Sequence, residues 1–184
     1  VPTAGPTEVV IKVAAAAVNN TDINTRVGWY SKSVTGATDA VSATNDEDSG
    51  WSGVPLQFPI IQGADCCGYI VAVGADVDDA RIGERVIVRT MQSTGTDGAP
   101  FMTDTFGSEY NGGFAQYTKT FAAEAYAVDD TLSDAEWAAR PCPFSTALNI
   151  LQLASVLGRR LLTPRFPVGV RAHHVPIPRP PERQ

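Results

Sequence analysis

The chain has 184 residues, enough for one ordinary domain or for one domain with a short appendage. With 43% apolar and 18% charged residues it has the makings of a packed core, which excludes a disordered or collagen-like chain. Twenty acids against 14 bases leave a formal charge of −6, giving no general attraction to phosphate backbones or anionic lipid, and no apolar run reaches the roughly 18 residues of a bilayer span. Neither nucleic-acid nor membrane partners are expected.

Val1 to Pro6 carry no basic or apolar leader pattern, and the three cysteines (Cys66, Cys67, Cys142) are too few and too oddly placed for a disulfide framework or a four-thiolate zinc site. A reducing, cytoplasmic setting is expected. Glu8–Val13 is the first strand, a β-branched run bounded by turn residues. Asn19 and Asn20 follow as turn or cap residues, and Asp22 and Arg26, one helical turn apart, are expected to form an i,i+4 ion pair. Ser31 to Gly53 is rich in Ser, Thr, Gly and Asp with no periodicity, so it reads as a long surface loop. Cys66 and Cys67 precede an apolar strand at Tyr69–Val73 and are expected as buried small hydrophobes. Asp76, Asp78 and Asp79 form a solvated turn, because no calcium-loop glycine or bidentate Glu follows them. Strands are expected again at Arg85–Val88 and Phe114–Thr118. Such short strands between turns point to a mainly β (α+β) fold, a small barrel or sandwich.

Helical signals come late. Ser133-Asp134-Ala135-Glu136 is a capping box opening a short helix that Pro141 ends. A second helix is expected from near Pro143, with Phe144, Ala147, Leu148, Leu151, Ala154 and Leu157 forming one apolar stripe over 144–157. Residues 158–184 change character: six arginines stand against one acid, giving +5, and leave −11 for the first 157 residues. Six of the chain's 13 prolines and both histidines, His173 and His174, fall there, so a poorly ordered tail is expected.

Four stretches taken in order, Glu8–Tyr30, Phe58–Val88, Gly112–Thr118 and Pro141–Leu151, resemble the medium-chain dehydrogenase/reductases, specifically their GroES-like N-terminal catalytic domain. The resemblance covers roughly residues 6–157. It implies a partly open barrel with a few short helices and one C-terminal helix, making 1–157 the catalytic domain and 158–184 a tail outside it.

Zinc-dependent members of that family place a Cys before an Asp after the first strand, a Gly-His-Glu opening the next motif, and a later Cys. Here the corresponding residues are Asn19, with Asp22 three positions on, then Gly63-Ala64-Asp65, and Cys142 between two prolines, where packing is the alternative role. A catalytic zinc needs three protein ligands, and the structural four-cysteine lobe is absent as well, so no zinc is expected. Asn19, Asp22, Arg26, Gly28 and Tyr30 instead resemble the zinc-free quinone oxidoreductase branch, which transfers a hydride from NADPH to a quinone or an activated carbonyl or alkene. Without a metal the developing oxyanion needs hydrogen-bond donors, and the Asn19 amide with the Thr21 and Tyr30 hydroxyls could supply them. By the same resemblance Thr146 would lie near the nicotinamide.

The cofactor's own fingerprint is missing. A dinucleotide site needs a strand, a Gly-x-Gly-x-x-Gly turn and a helix N-terminus, whereas Gly158 to Pro167 offer only basic and proline-rich sequence. The chain therefore reads as cut off, or out of frame, before the nucleotide-binding domain through which relatives form homodimers. The truncated chain alone is expected to be inactive, and two alternatives stay open: a non-catalytic GroES-like binding or assembly module or inactive fragment, and, more weakly, a zinc-dependent alcohol dehydrogenase. Both partnering expectations, a small-molecule substrate and a homodimer in the intact enzyme, come from the resemblance.

Overall fold

The computed structural model of the protein describes residues 1–31, 34, 56–93 and 103–153. Nearly all of the loop expected at Ser31–Gly53 and the whole 158–184 tail fall outside these residues. The chain forms two compact units, Val1–Pro141 and Cys142–Gln184.

The first unit is mainly β. Its strands are β1 (Glu8–Ala17), β2 (Asp65–Val73), β3 (Arg85–Val88), β4 (Met91–Ser93), β5 (Thr103–Thr105), β6 (Tyr117–Phe121) and β7 (Ala125–Ala127). Five of them make one antiparallel sheet in the order β6-β1-β2-β3-β7, while β4 and β5 pair separately as a hairpin. Register shifts between Val10 and Ile11 and between Val13 and Ala15 bend β1, so the sheet curls into a half-barrel. Its inner face carries the core: Val9, Ile11, Cys66, Ile70, Val86, Val88 and Ala125 close over Phe106, which comes from the β5 side. Arg81 secures the far edge by donating to the Ala122 carbonyl at 2.7 Å and the Ala125 carbonyl at 2.8 Å.

Three α-helices lie among the described residues, α1 (Asn20–Arg26), α2 (Asp134–Ala138) and α3 (Pro141–Leu153), with short 3-10 turns at Asp79–Arg81 and Ala122–Glu124. The Ser133 capping box forms as expected, with the Ser133 hydroxyl accepting from the Glu136 N–H. Arg85 ties α2 to the sheet, its guanidinium donating to Asp134 at 2.6 and 2.8 Å.

Several boundaries differ from the sequence reading. β1 runs four residues past Val13 through Ala14–Ala17, because pairing with Cys66 and Cys67 outweighs alanine's poor strand propensity. The strand expected at Phe114–Thr118 begins only at Tyr117, because the Phe114 N–H is taken by the Gln62 carbonyl at 2.9 Å. β4, β5 and β7, three residues each, are too short to show a period in the sequence. α3 starts at Pro141 and not near Pro143; a proline fits the first helical turn, where its missing N–H costs nothing. The stripe residues Ala154 and Leu157 lie outside the described residues.

Candidate functional site

The register of β1 on β2 builds the site. Its last rung pairs Ala17 with Asp65, so Asn19, two residues on, and Ala64, one residue back, arrive at the same corner. Asn19 then caps α1. Its backbone is extended, and its Oδ1 accepts from the Thr21 N–H at 3.1 Å. The cap reading of this residue thus holds. Because Oδ1 faces the helix, Nδ2 turns the other way, toward Asp65 Oδ2 at 3.4 Å.

Asp22 decides how close Asn19 and Ala64 stay. Its Oδ2 accepts from the Asn19 N–H at 2.8 Å and its Oδ1 from the Ala64 N–H at 2.9 Å, while its backbone carbonyl accepts from Gln62 Nε2 at 2.9 Å. One carboxylate, only 7% exposed, therefore clamps two segments more than 40 residues apart. This corrects the expected Asp22–Arg26 ion pair. Both carboxylate oxygens are taken by backbone donors, and Arg26 is left on the exposed face of α1. The clue was in the sequence, since Asn19-x-x-Asp22 has capping-box spacing.

Ala64 is held at its other end too, its carbonyl accepting from the buried Thr90 hydroxyl at 3.1 Å. Beneath it the backbone is crowded. Gly63 has φ +108°, and a side chain at Gly112 would come within 2.4 Å of the Gly63 carbonyl oxygen. The Gly112–Thr118 motif thus works through close backbone approach, with Gly112 and Gly113 donating to the Ile61 and Gly63 carbonyls.

The remaining expected donors pair across the same helix, Thr21 from its first turn and Tyr30 from beyond its C-terminal end. Thr21 Oγ1 and the Tyr30 hydroxyl lie 2.6 Å apart, and Trp29 packs edge-on to Tyr30 with ring centroids 5.6 Å apart. Asn19, Thr21 and Tyr30 are all half-buried. Thr146, the fourth expected residue, sits on α3 in the second unit. Behind the corner, Cys66 and Cys67 are fully buried as anticipated. Burial pushes the Cys66 thiol far up, and burial also lifts that of Cys67 to about 11 against the pull of the Arg85 guanidinium.

Residues 5–130 match the family model of the alcohol dehydrogenase GroES-like domain. The chain belongs to this family. A solved candidate alcohol dehydrogenase from Sinorhizobium meliloti 1021 is 38% identical and superposes with a TM-score of 0.71, covering 85% of this chain and 41% of its own. The starvation-sensing protein RspB of Escherichia coli K12 is 32% identical over 102 residues, 51% of this chain and 30% of RspB. A thermostable alcohol dehydrogenase from Pyrobaculum aerophilum, solved with cobalt and zinc, is 25% identical with a TM-score of 0.64 and covers 84% of this chain and 43% of its own. Other solved neighbours of the fold hold NADH or NADP. The GroES-like chain spans less than half the length of the curated relatives it matches.

Relatives of this GroES-like domain thus include a metal-bound enzyme, and the donors present here can be tested against a zinc site. The Asn19 carbonyl is spent on the helix cap and Ala64 has no donor atom. Among the described residues no three His, Cys, Asp or Glu side chains converge to hold a metal ion. These residues do not fit a thiolate–imidazole zinc site. Nor do they fit a dinucleotide cradle: every pair of named strands is antiparallel, and no glycine-rich turn leads from a strand into a helix among the described residues.

Proposed function

We propose that this GroES-like domain is the substrate side of a zinc-free, NADPH-dependent oxidoreductase acting on a quinone or an activated carbonyl or alkene. The observation that carries the reading is the donor set at the α1 corner: Asn19 Nδ2 on one side and the Thr21–Tyr30 hydroxyl pair on the other. NADPH, held by a nucleotide-binding half, would supply the hydride. The work left to this domain is then to bind the substrate oxygen and stabilise the charge that grows on it.

Hydrogen-bond donors fixed in advance at a partly desolvated corner do this without reorganising, and one such donor is worth on the order of a hundredfold in turnover. Within the Thr21–Tyr30 pair either hydroxyl can donate to the other, so the pair offers both donor and acceptor capacity at the corner. None of the three is a strong acid or base, which suits hydride transfer to a carbonyl polarised by hydrogen bonds. A small-molecule substrate, a reducing cytoplasm and pairing of intact subunits through their nucleotide halves go with the same reading.

The metal-bound Pyrobaculum relative favours a second reading, a zinc-dependent alcohol dehydrogenase. A third is a non-catalytic binding module. Turnover separates the three. Because the hydride donor is held by a nucleotide-binding half, the chain is joined to the nucleotide-binding half of a relative and assayed for NADPH consumption with a p-quinone and an unsaturated ketone, and for NAD reduction with primary alcohols, each before and after dialysis against a zinc chelator. Chelator-resistant quinone or enone reduction supports the proposal. Chelator-sensitive alcohol oxidation, with zinc bound stoichiometrically, overturns it in favour of the second reading. Absence of turnover together with absence of NADPH binding, followed through Trp29, Trp51 and Trp137 fluorescence, favours the third.

A further inference from the structure

The Asn19 side chain is gripped at both ends. On one side Oδ1 accepts from the Thr21 N–H at 3.1 Å; on the other Nδ2 faces Asp65 Oδ2 at 3.4 Å. An amide has two Nδ2 hydrogens. One turns to Asp65, and the other has no partner among the described residues. Asp65 itself is 1% exposed and lies on β2 behind the half-buried Asn19, so a substrate at the corner would meet Asn19 and not Asp65.

We infer that Asp65 is a positioning residue: its buried carboxylate holds the Asn19 amide in the one orientation that presents the second Nδ2 hydrogen to a substrate oxygen. This rests on the proposed reading of the corner as an oxyanion site. The cap alone restrains the oxygen end, and the amide could still swing about that contact. A second acceptor on the nitrogen side fixes the plane, as the acceptor behind a catalytic imidazole fixes its ring. The 3.4 Å separation is long for such a bond, and contacts of this kind shorten when a ligand fills the site. Asp22 cannot serve in its place, because both of its oxygens are occupied by backbone donors.

The test uses three variants of the full chain. Asn19→Asp keeps a capping oxygen, since Asp and Asn cap equally well, but removes both amide hydrogens. Asp65→Ala removes the acceptor; Asp65→Asn keeps the shape and one acceptor oxygen. The first readout needs no turnover: the two Asn19 Nδ2 protons, observed by nitrogen-edited NMR, should be well separated in the parent chain. They should draw together in Asp65→Ala and shift less in Asp65→Asn. Unchanged Asn19 signals in both Asp65 variants overturn the inference, and if Asp65→Ala fails to fold, Asp65→Asn decides alone.

The second readout is quinone reduction by the same variants joined to the nucleotide-binding half of a relative. Asn19→Asp should lose about a hundredfold in kcat. Asp65→Ala should lose on the order of tenfold with little change in KM, and Asp65→Asn should recover part of that. If Asn19→Asp turns over like the parent, the oxyanion reading of the corner fails. If Asn19→Asp is impaired and Asp65→Ala is not, only the positioning role fails.

Discussion

The sheet interior and the corner where β1 gives way to α1 both exclude water, for opposite reasons. In the interior Val9, Ile11, Ile70, Val86, Val88 and Phe106 contribute area and shape, and dispersion and water release are non-directional. At the corner Asp22, Asn24, Thr25 and Asp65 are buried as well, although each carries polar atoms that need partners. Asp22 meets that need with three hydrogen bonds between 2.8 and 2.9 Å, two to its carboxylate and one to its carbonyl. The interior should therefore tolerate a change of atom type that keeps volume. The corner should tolerate a change of volume less badly than a change of donor or acceptor.

The largest effect is expected from Phe106→Ala. Emptying a fully buried aromatic site should cost about 4 kcal/mol in urea unfolding, and a loss under about 1 kcal/mol would show that the core does not close over this ring. Next comes Asp22→Asn, a swap of nearly identical shape. It turns an NH2 group toward one of two backbone N–H donors and should cost about 2 kcal/mol. The matched interior swap, Ile70→Val, removes a whole methylene yet should cost only about 1 kcal/mol. Were Ile70→Val the worse of the pair, the contrast between the two regions would not stand. Ser133→Ala, which removes a solvent-exposed cap, should cost about 1 kcal/mol or less, read as a lowered thermal midpoint.

The thiols give a comparison across pH. Cys67 rests near 11 because burial disfavours the thiolate, so neither it nor Cys66 should react with a thiol reagent at neutral pH until the chain unfolds. Folded-state values above the unfolded ones place the linkage on the alkaline side. The contribution is intact below the ordinary thiol range and drains away as the pH climbs from there toward about 11. Fast labelling of both thiols in the folded protein at neutral pH would contradict their burial.

Much of the fold was legible because its pieces are local. The runs at Glu8–Val13, Tyr69–Val73 and Arg85–Val88 announce strands, and the Ser133 box announces a helix start. What escaped is non-local or too short to have a period. Ala14–Ala17 becomes strand only because Asp65–Cys67 lies beside it. Phe114 is claimed by Gln62, which no local pattern reports. At the site, the chemical identity of Asn19, Thr21 and Tyr30 could be read directly. The Asp22 clamp has the spacing of a helical ion pair, and spacing alone cannot show that a backbone N–H from another segment lies nearer than Arg26.

By itself, the sequence determined the class of scaffold, the residue types offered at the corner, and the burial of the paired cysteines, since these follow from periodicity and composition. Only the tertiary structure decided which atoms face which. The Ala17–Asp65 rung sets where Asn19 and Ala64 meet, and the Asp22 carboxylate holds them there. Hydrogen bonds are short-ranged and directional, so their partners are chosen by how distant segments come together, which the order of residues along one strand does not encode.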